Sequence, residues 1–361
     1  MARIGINALY LIPGGVGGTE IYLRELLIAL AAIDSTHEYF VFTNLETHDD
    51  LVPKQANFHW KPQAVHARIR PARILWEQII LPVETARYRL DVLFNPGFTA
   101  PVLSPCRQVT VFHDLQHKRH PEYFRWFDLP FWRLLLWAAA HRSQGLIAVS
   151  AATAADLLRF YRIPKERVAV IAHGVEPAFS RLDRSRIDDY LLCVSTLHPH
   201  KNVPRLIRAY GREKRDYPLV LAGLRGFHAA AIEKLIRELA LQDSVRVTGW
   251  VPRDELYRLY QLARAFIYPS TFEGFGMPVL EALAAGIPTA CSDIPPLREV
   301  AGDAALFFDP LDEDALAAAM DRVMSDESLR TQLAHAGPSR ARPFTWERSA
   351  AQTLEVLLRD D

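Results

Sequence analysis

Short apolar runs alternate with longer stretches of helical periodicity along almost the whole chain. Ile4–Leu11 predicts a first strand. The glycine turn Gly14–Gly18 follows it, and apolar residues then recur every three to four positions through Thr19–Ala32, as on one face of a helix. Further strands are predicted at Tyr39–Thr43, Val92–Phe94, Val109–Phe112, Ile147–Val149 and Val168–Ile171, with a helix over Ala151–Tyr161. Such alternation implies a parallel sheet with helices on both faces. Pro177–Asp189 is polar without a clear period and predicts a linker. Beyond it the alternation resumes, with strands at Tyr190–Val194, Leu219–Ala222, Val245–Val247, Ala265–Tyr268, Thr289–Ala290 and Ala305–Phe307.

A chain of 361 residues has room for two domains of the usual ~100–200 residues. The pattern therefore predicts an α/β protein of two Rossmann-like domains, residues 1–176 and 177–342, facing each other across a cleft. The last helix, Trp346–Arg359, has apolar residues at helical spacing, and residues 343–361 are assigned to the first domain. In open parallel sheets, ligands sit beyond the carboxyl ends of the strands. Residues just after strands are therefore the first candidates for chemistry.

Charge and cysteine usage exclude several classes. Lys+Arg and Asp+Glu are 42 each, without the basic excess of a general nucleic-acid binder. Cys106, Cys193 and Cys291 are far apart and form no CxxC, so neither a disulfide framework nor a structural zinc site is expected. The opening MARIGINALYLI lacks the apolar core and cleavage site of a signal peptide. No run of about 18–20 uncharged apolar residues predicts a membrane span. A cytoplasmic protein is expected, with attachment to the inner membrane surface left open. Two stretches bear on that attachment, Arg68–Leu81 and Tyr123–Arg142. Both mix basic and aromatic residues, as interfacial helices do, although ordinary packing of first-domain helices is the favoured reading.

The most informative segment is Tyr268-Pro-Ser-Thr-Phe-Glu-Gly-Phe-Gly-Met-Pro-Val-Leu-Glu281. A strand ends at Tyr268. Gly274, Phe275 and Gly276 form a tight turn open to close ligand approach, and Pro278 suits the start of a helix. The unpaired amides of such a helix start attract anions, a diphosphate among them. Glu273 and Glu281 flank that start. One carboxylate is suited to sugar hydroxyls and the other to a ribose diol. The turn Gly14–Gly18 also follows a strand, but Glu20 stands where a G-x-G-x-x-G fingerprint counted from Gly15 needs glycine, which disfavours NAD binding.

Set in strand, turn and helix, Glu273 and Glu281 resemble the E-x7-E motif of family 4 retaining glycosyltransferases of GT-B fold. The likeness runs through Gly17-Gly18, His113-Asp114, Val149-Ser150, His173-Gly174-Val175, Pro199-His-Lys-Asn202, Gly249-Trp250-Val251 and Arg298-Glu299-Val300. The details Trp76-Glu-Gln, His113-Asp-Leu and Gly-Phe-Gly-Met-Pro look most like mannosyltransferases that use GDP-mannose. The resemblance implies that the first domain binds the acceptor and the second the nucleoside-diphosphate sugar. It implies His113, Lys201 and Glu273 as catalytic residues, with Lys201 against the diphosphate. A fixed cation there offsets the charge growing on the leaving group.

The same resemblance gives backbone contacts to the donor phosphate or the acceptor at donor-site candidates Gly17 and Gly18, to the base at Trp250 and Val251, and to the phosphates around Gly274–Gly276. Arg225 is a weaker phosphate candidate, and Glu299 a structural or ribose-side carboxylate. The chain departs from the pattern at Thr196, where many relatives have arginine, and at His200, where others do. The resemblance further implies transfer with retention, no metal, and a glycan or lipid-linked acceptor in polysaccharide or glycolipid assembly. Competing readings are a sugar-nucleotide epimerase, a NAD-dependent oxidoreductase and a non-catalytic sugar-nucleotide binder.

Overall fold

The computed structural model describes residues 1–15, 17–224 and 229–359. The chain divides into two compact units, Met1–Gly174 with Phe344–Asp361, and Val175–Pro343.

The first unit carries strands β1 (Arg3–Asn7), β2 (Glu38–Thr43), β3 (Phe58–Pro62), β4 (Val92–Asn95), β5 (Arg107–Phe112), β6 (Gly145–Ala148) and β7 (Val168–Val170). All pair in parallel, in the order β3-β2-β1-β4-β5-β6-β7. Its helices are α1 (Gly18–Ile33), α2 (Arg70–Arg87), the single turn α3 (Gln116–Arg119), α4 (Leu129–Arg142) and α5 (Ala151–Tyr161). The step from β1 to β2 runs one way along the sheet. The steps β3 to β4, β5 to β6 and β6 to β7 run the other way. Right-handed crossovers therefore put α1 on one face and α2, α4 and α5 on the other.

The second unit begins with the short helix α6 (Pro177–Ser180). It continues with β8 (Asp188–Val194), α7 (Val203–Gly211), β9 (Leu219–Ala222), α8 (Ala229–Glu238), β10 (Val245–Gly249), α9 (Arg253–Leu262), β11 (Ala263–Tyr268), α10 (Met277–Ala284), β12 (Thr289–Ser292), α11 (Pro295–Ala301), β13 (Leu306–Phe308), α12 (Glu313–Ser325) and α13 (Glu327–Ala341). Its six parallel strands run β10-β9-β8-β11-β12-β13. The core, including Leu191, Leu206, Ile207, Leu221, Ile267 and Met320, lies between this sheet and the helices on it. The last helix, α14 (Trp346–Leu358), belongs to the first unit and packs along α1.

Three expectations need correction. The first strand ends at Asn7. Leu9 and Leu11 are fully buried, but Asn44 Nδ2 donates to both of their carbonyls, at 2.9 and 2.6 Å. A side chain thus replaces a neighbouring strand, and a buried loop mimics strand continuation. Residues 177–189 are not a free linker: Phe179 is fully buried, and Arg184 donates to the carbonyls of Tyr260, Gln261 and Ala263. Finally, β3 has no counterpart among the predicted strands. It is an edge strand in which only Phe58 is buried, so its apolar signal is weak.

Candidate functional site

In both sheets the strand order reverses once, and ligands of such folds gather at that reversal. In the second unit it lies between β8 and β11. Lys201 follows β8 and Glu273 follows β11, so residues 72 apart in sequence meet. Lys201 Nζ donates to Glu273 Oε1 at 2.6 Å and to the Tyr268 hydroxyl at 2.9 Å, and that hydroxyl donates to the same carboxylate oxygen at 2.8 Å. Burial alone would raise the Glu273 pKa. The Lys201 ammonium first, then His200 and the local hydrogen bonds, hold it below the usual glutamate value.

Local geometry fixes this pair. Lys201 ends the turn Pro199–Lys201, and Asn202 adopts a left-handed conformation, φ 58°. The Asn202 side chain donates to Pro269 O at 3.0 Å and Pro310 O at 2.8 Å. Thr271 N and the Ser270 hydroxyl donate to His200 O. The two loops are thereby stitched together directly beneath the ion pair.

α10 starts at Met277, with Pro278 at its second position and Gly276 as an N-cap that offers no side-chain acceptor. Gly276 has φ 111°, a conformation that favours glycine, and a Cβ there would also press on Leu297 Cδ2 at 2.4 Å. Glu281 is buried inside α10 and accepts from the Tyr260 hydroxyl at 2.8 Å. Burial raises its pKa, against the opposing pull of Arg253, 3.8 Å away, and of that hydrogen bond. Arg253 and Tyr257 also contact Glu176. Nothing local in the sequence signals Glu176, Arg253, Tyr260 or Tyr268 as parts of this network. Trp250 and Val251 follow the edge strand β10, and Trp250 is 61% exposed. The hydrogen bonds of Lys201 and Glu273 run to each other and to Tyr268, not to Trp250 or Val251. Glu299 is half-buried, and Arg225 lies outside the described residues.

In the first unit the reversal lies between β1 and β4. The strand-end residues Asn7 and Asn95 bond to each other, and Asn7 Nδ2 and the Thr99 hydroxyl donate to Glu77 Oε2 at 3.2 and 2.9 Å. Burial raises the Glu77 pKa, partly offset by Arg73. The Trp76-Glu-Gln segment thus anchors the loop after β4: Gln78 donates to Ala100 O and accepts from Val102 N.

His113 follows β5. Its Nε2 bonds Pro96 O at 2.8 Å, which assigns the proton to Nε2. Burial lowers its pKa to about 4, so the ring is neutral at pH 7. It sits edge-on to Tyr22 and stacks on His173. Gly17 caps α1 with φ 59°, and Gly18 opens the helix. His173-Gly174 also has a packing reason: a Cβ on Gly174 would meet Trp346 N at 2.3 Å, at the start of α14. Among the described residues, no group of three or more His, Cys, Asp or Glu side chains is arranged to hold a metal ion.

Comparison with known proteins accords with this geometry. Residues 16–179 match the model of Glycosyltransferase Family 4, and residues 179–340 that of Glycosyl transferases group 1. The chain is 31% identical to O-antigen chain mannosyltransferase B of Escherichia coli over 360 residues, covering 93% of this chain and 94% of that protein. Sucrose-phosphate synthase from Thermosynechococcus elongatus superposes with a TM-score of 0.80 at 20% identity, over 99% of this chain and 98% of that one. Anabaena HepE in complex with UDP-glucose superposes with a TM-score of 0.79 at 19% identity, over 99% of each chain. The fold is GT-B. The chain belongs to the family 4 glycosyltransferases, as the resemblance of its motifs led one to expect.

Proposed function

We propose that this glycosyltransferase moves a hexose, mannose from GDP-mannose, onto a hydroxyl of a glycan or lipid-linked acceptor in polysaccharide or glycolipid assembly, with retention at the anomeric carbon. The observation that carries the reading is the Lys201–Tyr268–Glu273 cluster at the β8/β11 reversal, beside the uncapped start of α10. The second unit binds the donor and the first the acceptor. Lys201 and the α10 amides hold the diphosphate, and Glu273 accepts from hydroxyls of the transferred sugar. Glu281 serves the ribose diol, and the backbone at Trp250 and Val251 meets the base. Gly17 and Gly18 bring the α1 amides to the donor. His113, neutral and oriented by Pro96 O, accepts a sugar hydroxyl at Nδ1.

In the reaction, the bond from the anomeric carbon to the phosphate oxygen breaks as the acceptor oxygen attacks from the same face. The acceptor proton passes to the leaving phosphate. Lys201 stabilises the charge that develops there without metal, and a fixed donor of this kind is worth roughly 100- to 1,000-fold in rate. Ion pairing with Glu273 keeps the ammonium in place before the donor arrives. The relative's name supports mannose, and HepE's bound UDP-glucose supports a nucleotide-sugar donor.

The test is a transfer assay with GDP-mannose, UDP-glucose and ADP-glucose on glycan acceptors, with NMR of the product anomer. GDP-mannose is expected to give an α-linked product, with Lys201→Ala and Glu273→Gln at least about 100-fold slower. A product of inverted configuration, or variants as active as the parent, would remove the assignment. Conversion of the sugar nucleotide without any acceptor would identify an epimerase instead.

A further inference from the structure

Phe98 has a backbone φ of 70°, in the left-handed region that bulky side chains rarely adopt. It belongs to the loop of residues 96–99, directly after β4. Strain of this kind persists only where the surroundings hold it, and it gathers at functional sites. This loop lies against His113. Pro96 O accepts the proton on Nε2 at 2.8 Å, and the Phe98 ring stands edge-on to the imidazole, centroids 5.1 Å apart. The Tyr10 ring crowds the same loop, since a Cβ on Gly97 would come within 2.2 Å of it.

Both ends of the loop hang on one carboxylate oxygen. At the far end the Thr99 hydroxyl donates to Glu77 Oε2 at 2.9 Å. At the near end Asn7 Nδ2 donates to the same oxygen at 3.2 Å and to Asn95 Oδ1 at 3.1 Å, so Asn95 is held through Asn7. Glu77 is 1% exposed. Burying a carboxylate is costly, and an apolar side chain would pack there at less cost. Arg73, one turn earlier on α2 and itself buried, offsets part of that cost. What the carboxylate supplies is a charged acceptor, whose hydrogen bonds are roughly twice as strong as neutral ones. It can also only accept, whereas an amide in its place could turn its nitrogen towards Asn7 and Thr99.

We propose that Glu77 is a positioning residue for the transfer reaction: it clamps the strained loop 96–99 so that the Pro96 carbonyl keeps the His113 proton on Nε2 and Nδ1 faces the sugar as an acceptor. This role rests on His113 meeting the transferred sugar. With Pro96 O withdrawn, the neutral ring carries its proton on either nitrogen, and a proton on Nδ1 makes it donate where it must accept. The ring also loses its orientation, and a shift of about 1 Å at a reacting centre costs about 100-fold in rate.

Nitrogen-15 NMR of the histidine rings at pH 7, without sugar nucleotide, reads the tautomer, with the His113 signals identified by their loss in His113→Gln. The parent is expected to show a single neutral Nε2–H form. Glu77→Leu and Thr99→Val keep the side-chain shape and remove one partner of the clamp. Both are expected to show the Nδ1–H form as well, and to lower kcat for transfer from GDP-mannose at least about tenfold with the donor KM within about twofold of the parent. Glu77→Gln, which keeps an acceptor oxygen, is expected to fall between the parent and Glu77→Leu in both readouts. Thr99→Val carries the test alone if Glu77→Leu does not fold. The proposal fails if the folded variants keep the single Nε2–H form, whatever their Tm, because Glu77 is then a structural anchor only. It also fails if the tautomer shifts while kcat stays at the parent value. A parent that transfers no sugar, with variants that still shift the tautomer, would leave the clamp standing and sink only the functional proposal.

Discussion

At the scale of residues the proposed chemistry turns on the ion pair of Lys201 and Glu273, in which the ammonium holds the carboxylate ionised. Glu273 stays ionised although buried, and Lys201 is its strongest support. Removing Lys201 strips that support and lets the Glu273 pKa climb as burial dictates. The histidines of the first unit follow the opposite logic. Burial lowers His113 and His117 from an ordinary 6.5 to about 4. An unfolded chain takes up protons below pH 6.5 that the folded rings refuse, so unfolding binds more protons in that range. The stabilising contribution is therefore complete above pH 6.5 and is lost as the pH falls through about 4. For one such ring the loss amounts to about 3 kcal/mol at most. His117 is buried against the Tyr161 hydroxyl, 2.6 Å away. His117→Gln is expected to flatten the decline of Tm between pH 7 and pH 4 relative to the parent. A parallel decline in both proteins would mean that this ring does not titrate on unfolding.

At the level of elements, the site depends on two loops locked to one another through Asn202. Its left-handed backbone and its two carbonyl contacts separate experimentally. Asn202→Gly keeps the φ of 58° accessible and removes the contacts, whereas Asn202→Ala removes the contacts and adds backbone strain. Asn202→Gly is expected to cost about 1–3 kcal/mol, and Asn202→Ala about 1 kcal/mol more. Denaturant titration reads both, and equal stability of the two variants would contradict the strained-turn account. The same elements show what the sequence makes legible. Motifs that a short loop holds together, such as Glu273–Gly276 running into α10, carry their geometry in their spacing. Central strands buried on both faces are equally plain. Leu9 and Leu11 mislead because hydrophobicity reports burial and not backbone pairing, and β3 escapes because an edge strand shares its surface with water. Tyr260, Arg253 and Glu176 converge on Glu281 from separate elements, and no local pattern encodes such convergence.

At the scale of the molecule, two parallel sheets repeat one device. Each reverses its strand order once, and each brings hydrogen-bonded polar residues together there, Asn7, Asn95 and Glu77 in the first unit and Lys201, Tyr268 and Glu273 in the second. The close backbone approach at Gly174 and Trp346 ties α14 to the first unit and explains a glycine that the motif alone leaves unexplained. Among the described residues no helix is long and apolar enough to cross a membrane. In the proposed reaction the β8/β11 reversal holds the diphosphate of the donor. Calorimetric titration of GDP-mannose into the parent and into Lys201→Ala tests it most directly. Saturable binding to the parent is expected, with at least about tenfold weaker binding to the variant, a loss of about 1.4 kcal/mol. Equal affinity in the two proteins, with the variant folded, would contradict it.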